Sequence, residues 1–174
     1  MTSIQPSFAP FAAKMRAERL PDVIIRTFEH YYRQLAEGRT GLIPEAEIRP
    51  VAALPDAESF GPDLAAVGQA ALTKTALVKL NGGLGTGMGL ERAKTLLVVK
   101  EGLTFLDVIA RQAIRAGVPL VLMNSYVTRD DSLAALRSYP ELESRIPLDF
   151  VQHKIPKIAQ ADLRPVAWPA DPEL

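Results

Sequence analysis

From Leu80 to Lys94 the chain reads Leu-Asn-Gly-Gly-Leu-Gly-Thr-Gly-Met-Gly-Leu-Glu-Arg-Ala-Lys, with five of its eleven glycines between Gly82 and Gly89. Backbone without Cβ atoms can take positive φ and approach a ligand closely, so a cluster of this kind can turn consecutive N–H groups toward one anion. Its position after the apolar run Ala76–Leu80 predicts a strand that feeds a phosphate-binding loop. Thr86 adds a hydroxyl donor and Lys94 a mobile positive charge at the far end. The competing reading is a flexible turn between two strands, with Lys94 a solvated surface lysine.

Two familiar phosphate-loop patterns fail on residue identity. G-x-G-x-x-G started at Gly83 meets Met88 at its third glycine, and started at Gly85 it meets Leu90. G-x-x-x-x-G-K-[ST] has Lys94-Thr95 in place but finds Met88 and Ala93 where glycines belong. Neither a nicotinamide oxidoreductase nor a P-loop ATPase is therefore favoured.

Composition narrows the remaining classes. Lys plus Arg and Asp plus Glu each number 20 in 174 residues, so the formal net charge is zero; with no local basic cluster, this argues against nucleic acid as a partner. The absence of cysteine excludes disulfides and thiolate metal sites. No apolar run approaches the roughly 20 residues of a membrane helix, and Met1 to Ala13 lacks the pattern of a signal peptide. The expectation is a soluble cytoplasmic protein with no membrane partner.

The elements that position the loop can be read from periodicity. Ile24, Phe28, Tyr31 and Leu35, widened by Ile25 and Tyr32, predict a helix over 22–37, preceded by a shorter one over 10–19. Pro44, Pro50, Pro55 and Pro62 make an extended connector, a short helix over 63–71 follows, and a boundary falls near Thr73. Thereafter strands and helices alternate. Strands are expected at Ala76–Leu80, Thr95–Val99, Val118–Met123 and Leu148–Gln152. One helix opens at a Thr104/Asp107 capping box and ends at Gly117; another opens at a Thr128/Asp131 pair and contains Leu133 and Leu136. Alternation of this kind predicts a mostly parallel α/β sheet. Asp107, Asp130 and Asp131 read as first-turn helix acids, and His30 and His153 as structural.

Several strings in register resemble the eukaryotic-type UTP–glucose-1-phosphate uridylyltransferases (UDP-glucose pyrophosphorylases). They are Leu80–Gly89 (LNGGLGTGMG) with Ala93-Lys94-Thr95, Thr104–Asp107 (TFLD), Val121–Ser125 (VLMNS), and Phe150-x-Gln152 followed by Pro156-Lys157-Ile158. The likeness covers about residues 73–160. Tyr126 replaces a phenylalanine, and Arg92-Ala93-Lys94-Thr95 stands where many members have Gly-Pro-Lys-Ser. N-acetylhexosamine relatives place arginine where this chain has Gly87; Asn81 and Leu84 also favour the glucose branch.

The resemblance implies a Rossmann-like nucleotidyltransferase sheet, incomplete here and preceded by an N-terminal helical segment. Residues 1–72 would form that segment and its connector, and 73–174 the first part of the nucleotide-binding domain. It further implies transfer of UMP from UTP to glucose 1-phosphate, giving UDP-glucose and pyrophosphate with Mg²⁺ whose ligands lie outside this chain. By position, Leu80, Asn81, Gly82, Gly83, Gly85 and Thr86 would hold the nucleotide mostly through backbone. Lys94 would neutralise phosphate charge as the catalytic lysine, Gln152 would read the uracil edge, and Met123 would lie against the nucleotide. Met123 fits a core position equally well on sequence alone. The chain is expected to be an inactive N-terminal fragment; the alternatives are a free-standing nucleotide- or phosphate-binding module, or a uridylyltransferase for another sugar 1-phosphate.

Overall fold

A computed structural model describes residues 7–39, 41–89, 91–167 and 170. The chain divides into two compact units, one of residues 1–52 with 153–174 and one of residues 53–152.

The first unit is built on two helices, α1 (Ala9–Ala17) and α2 (Asp22–Ala36). Phe11 and Met15 from α1 and Ile25 and Tyr32 from α2 are buried. Phe11 lies 5.0 Å from the Tyr32 ring and 5.7 Å from Phe28, and Phe8 completes the aromatic group. The buried stripe of α2 is thus centred on Ile25 and Tyr32. Tyr31 (63% exposed) and Leu35 (43%), expected in the stripe, lie outside it, because one helix packing against α2 covers a narrower arc than the apolar residues span. The Tyr32 hydroxyl donates to the carbonyl of Leu163 at 3.1 Å, near a short antiparallel pairing of Ile158 with Pro165.

In the second unit, α3 (Pro62–Ala71) begins at a proline suited to the first turn and buries none of its residues. Strands β1 (Leu77–Asn81), β4 (Leu120–Asn124) and β5 (Asp149–Val151) form a parallel sheet in that order. Its register aligns Leu80 with Met123 and Phe150, and Asn81 with Asn124 and Val151, so the three carboxyl ends are level. Helices α4 (Phe105–Ala116) and α5 (Arg129–Leu136) are the crossovers. Leu106, Ala110 and Ala113 of α4 and Leu136 of α5 pack with Leu120 and Leu122 of β4 and with Leu142 as the core. β1 lies at the sheet's edge. Its Val78 (52%) and Leu80 (66%) are exposed, where a buried strand was expected, because α4 and α5 pack chiefly on the central strand.

The capping box of α4 is present. Thr104 Oγ1 accepts the Asp107 N–H at 3.1 Å, Asp107 Oδ2 accepts the Thr104 N–H at 2.7 Å, and Gly117 ends the helix in a left-handed conformation. Burial works against the Asp107 carboxylate, but the hydroxyl and N–H of Thr104, the Tyr139 hydroxyl and Arg111 outweigh it and hold its carboxyl below the usual range. The matching box expected for α5 is not formed. Thr128 makes no cap to the helix, and its hydroxyl accepts the N–H of Ser125 at 2.9 Å instead.

The strand expected over Thr95–Val99 begins later. Lys94–Leu96 is a single 3₁₀ turn, and β2 (Val98–Lys100) pairs antiparallel with β3 (Leu103–Thr104). Glu101 and Gly102 take φ of 51° and 77°, the paired positive values of a two-residue hairpin turn.

Candidate functional site

The glycine-rich loop leaves β1 at the level carboxyl end of the sheet, where open α/β sheets bind ligands. Leu84 pairs with Ala93, the Gly85 N–H donates to the Arg92 carbonyl at 3.2 Å, and the Lys94 N–H donates to the Gly83 carbonyl at 3.3 Å. These bonds close the loop as a small hairpin. Thr86–Met88 forms a 3₁₀ turn at its far part, ended by Gly89 at φ 69°. Of the five glycines only Gly89 has positive φ, which corrects the expectation that left-handed residues shape the phosphate-facing stretch. The N–H groups of Gly82, Gly83 and Leu84 have no acceptor among the described residues. Three successive unbonded amides at the carboxyl end of a strand are suited to an anion.

Gly82 serves another purpose. A Cβ there would come within 2.5 Å of Gln152 Oε1, 2.9 Å of Cδ and 3.1 Å of Nε2, so the Gln152 amide lies against bare backbone. Gln152 is held in turn by its own N–H, which donates to the Asn124 carbonyl at 2.8 Å and extends the β4–β5 pairing by one residue. Loop and amide are therefore brought together from opposite edges of the sheet. Leu80, Met123 and Phe150 are level across the three strands; Leu80 (66%) and Phe150 (48%) are exposed and Met123 is half-buried. Thr86 and Lys94 are exposed, and the Lys94 ammonium has no ion pair or hydrogen bond among the described residues.

Asn81 is placed differently from its neighbours. It is buried (3% exposed), and its side chain is fully engaged inside the unit. Its Nδ2 donates to Asn124 Oδ1 and to Ser132 Oγ, both at 2.7 Å, while its Oδ1 accepts from the hydroxyl of Thr95. Asn124 Nδ2 donates to Asp149 Oδ2 at 3.2 Å, and Arg129 Nε donates to the same oxygen at 2.7 Å. The hydrogen bond from Arg129 holds the Asp149 carboxyl below the usual range despite burial, with Asn124 adding to it. What Asn81 offers a ligand is consequently its backbone.

Sequence reasoning did not single out Thr95, Asn124, Ser132 or Asp149 as a group. A signal was available: β1 (LVKLN) and β4 (LVLMN) are two largely apolar strands that both end in asparagine. A buried amide at the end of each of two neighbouring strands needs a partner, and each is the other's. Among the described residues no three His, Cys, Asp or Glu side chains converge as a metal site. Nor is any helix of the described residues long and apolar enough to cross a membrane.

The sequence model of the family described as UTP–glucose-1-phosphate uridylyltransferase matches residues 25–174. Among curated proteins, the chain is 42% identical over 101 residues to the UTP–glucose-1-phosphate uridylyltransferase of Solanum tuberosum, an alignment covering 55% of this chain and 21% of that protein. It is 39% identical over 109 residues to the enzyme of that name from Saccharomyces cerevisiae, covering 59% and 22%. Among solved structures, a variant UDP-glucose pyrophosphorylase of Leishmania major in complex with UDP-glucose matches with a TM-score of 0.81 at 36% identity, over 98% of this chain and 36% of that one. A Trypanosoma brucei structure titled UDP-glucose phosphorylase matches with a TM-score of 0.74 at 37% identity, over 95% and 35%. The chain thus spans about a fifth of the length of those curated relatives and about a third of those solved chains.

Proposed function

Since the chain belongs to the UTP–glucose-1-phosphate uridylyltransferase family and has its nucleotidyltransferase fold, we propose that it forms the UTP-binding floor of an enzyme making UDP-glucose. The observation that carries this reading is the juxtaposition of the unbonded Gly82–Leu84 amides with the Gln152 amide at the level ends of three parallel strands.

The amides receive the phosphates, and Lys94, free to reorient, adds positive charge as negative charge grows on them. Gln152 offers one donor and one acceptor group, which suits the uracil edge. Leu80 and Met123 give the base an apolar surface at that end of the sheet. In the proposed reaction a phosphate oxygen of glucose 1-phosphate attacks the α-phosphorus of UTP. The new P–O bond gives UDP-glucose, and the bond to the departing pyrophosphate breaks. No covalent protein intermediate is needed, so the work of these residues is positioning and charge neutralisation. Mg²⁺ is expected with the nucleotide, as in the family. Among the described residues no three His, Cys, Asp or Glu side chains group to hold it.

Calorimetric titration with Mg-UTP and Mg-ATP tests the reading. UTP should bind more tightly than ATP, and Lys94→Ala should weaken UTP binding about tenfold, the range for one charge-assisted contact. Tighter binding of ATP would overturn the uridylyl assignment.

A further inference from the structure

The two ends of the glycine-rich loop are joined beneath it. Asn81, the last residue of β1, and Thr95, in the turn after the loop, are 14 residues apart in sequence, and the Thr95 hydroxyl donates to Asn81 Oδ1. Both are buried, at 3% and 9% exposed. The Asn81 amide is in turn fixed by Asn124 at the end of β4 and by Ser132 in α5. Ser132 donates its own hydroxyl to the Thr128 carbonyl at 2.6 Å, so each member has a defined donor or acceptor role. Among the described residues no buried side-chain N or O atom lacks a partner. Above this level the loop is held by backbone bonds of 3.2 and 3.3 Å, at the long end for N–H···O contacts.

We propose that Thr95 and Asn81 act as a latch between the two ends of the loop. Anchored on Asn124 and Ser132, the latch holds the Gly82–Leu84 amides in a phosphate-ready arrangement before the nucleotide arrives. Thr95 and Asn81 are positioning residues, acting through the backbone they fix. The proposal rests on the reading of this loop as a nucleotide site. Its physical basis is preorganisation. A loop of this glycine content loses much conformational freedom on ordering, and any part of that loss met during folding is not charged against binding. The hydroxyl of Thr95 matters here, because a valine of the same shape would leave Asn81 Oδ1 buried without a donor.

Amide hydrogen exchange on the 174-residue chain, with Mg-UTP titration in parallel, tests the latch in Thr95→Val and Thr95→Ser. Thr95→Val should raise exchange of the hydrogen-bonded loop amides of Gly85, Gly89 and Lys94 about tenfold while leaving α4 and β4 protected, and weaken UTP binding about tenfold. Thr95→Ser, which keeps the hydroxyl, should restore both. Unchanged loop exchange in Thr95→Val would overturn the latch, as would a serine variant that behaves like valine. Exchange rising equally in α4 and β4 would also overturn it, since Thr95 would then hold the whole unit rather than the loop. If no version binds UTP, the nucleotide reading fails, and the exchange pattern still decides the latch.

Discussion

The root and the outer part of the glycine-rich loop are separated by a few residues and built on different physics. At the root, Asn81, Thr95, Asn124 and Ser132 are buried, and each side chain has a specified partner. In the outer part, Thr86, Gly87, Glu91, Arg92 and Lys94 are exposed, and the backbone turns within a 3₁₀ segment. A buried amide network fixes geometry because hydrogen bonds are directional and an unmet partner is costly in a low-dielectric interior. An exposed lysine on a long stem does the reverse: it supplies charge and little geometry. A phosphate site needs both, amides held in place and a cation able to follow the developing charge.

The largest expected effect comes from breaking the root. Asn124→Leu removes the acceptor of Asn81 Nδ2 and a donor to Asp149 while keeping the branching of the side chain. It should destabilise the protein by about 2–3 kcal/mol, the cost of leaving such groups buried and unpaired. Lys94→Ala should change stability by no more than about 0.5 kcal/mol, as for other exposed sites. Denaturant melts of the two variants check the contrast directly, and similar losses in both would erase the distinction between root and outer loop.

Acid should also act on the root. Asp149, at the far end of the network, and Asp107, in the capping box of α4, both have carboxyls held below the usual range. Unfolded, each would titrate near ~3.9. The stabilisation they give is therefore present in full above that value and is lost as pH falls through the lower folded values. Thermal melts should show a melting temperature insensitive to these two groups from about pH 5 to 7 and falling below about pH 4. Asp107→Asn should start lower and decline less steeply. A decline as steep as that of the parent chain would remove Asp107 from this account.

How much of this could be read from the residues depended on whether a feature was local. The α4 capping box was legible, because Thr104 and Asp107 are three residues apart and Gly117 supplies the stop. The parallel sheet was legible as alternation, and two of its apolar runs located β4 and β5 to within about two residues, the usual uncertainty of element ends. Thr95 was misread as the first residue of a strand. Its β-branched neighbourhood looks extended, and only the fold brings Asn81 within reach to bend it into a turn. Thr128 failed as a cap for a similar reason, since Ser125 offers it a closer partner. The Gln152–Gly82 contact joins residues 70 positions apart across three strands, and without the family resemblance no spacing marks it.

That contact yields a small change in stability and a sharp functional one. In Gly82→Ala the new methyl would sit 2.5 Å from Gln152 Oε1, too close for the present arrangement. Gln152 is a flexible side chain whose far end can move, and Gly82 does not have positive φ, so the fold should yield by less than about 1 kcal/mol. The Gln152 amide, proposed to face the base, would swing away. Titration should then show UTP losing its advantage over other pyrimidine and purine nucleotides, while the part of the affinity due to phosphate, read with Mg-pyrophosphate alone, stays near the parent value. Gln152→Ala should give the same loss without the methyl, and combining the two changes should add little, as expected when both act through one contact. If the double variant loses as much as the two single losses summed, Gly82 acts on the nucleotide by a route other than Gln152. The close approach would then belong to packing at the root rather than to reading the base.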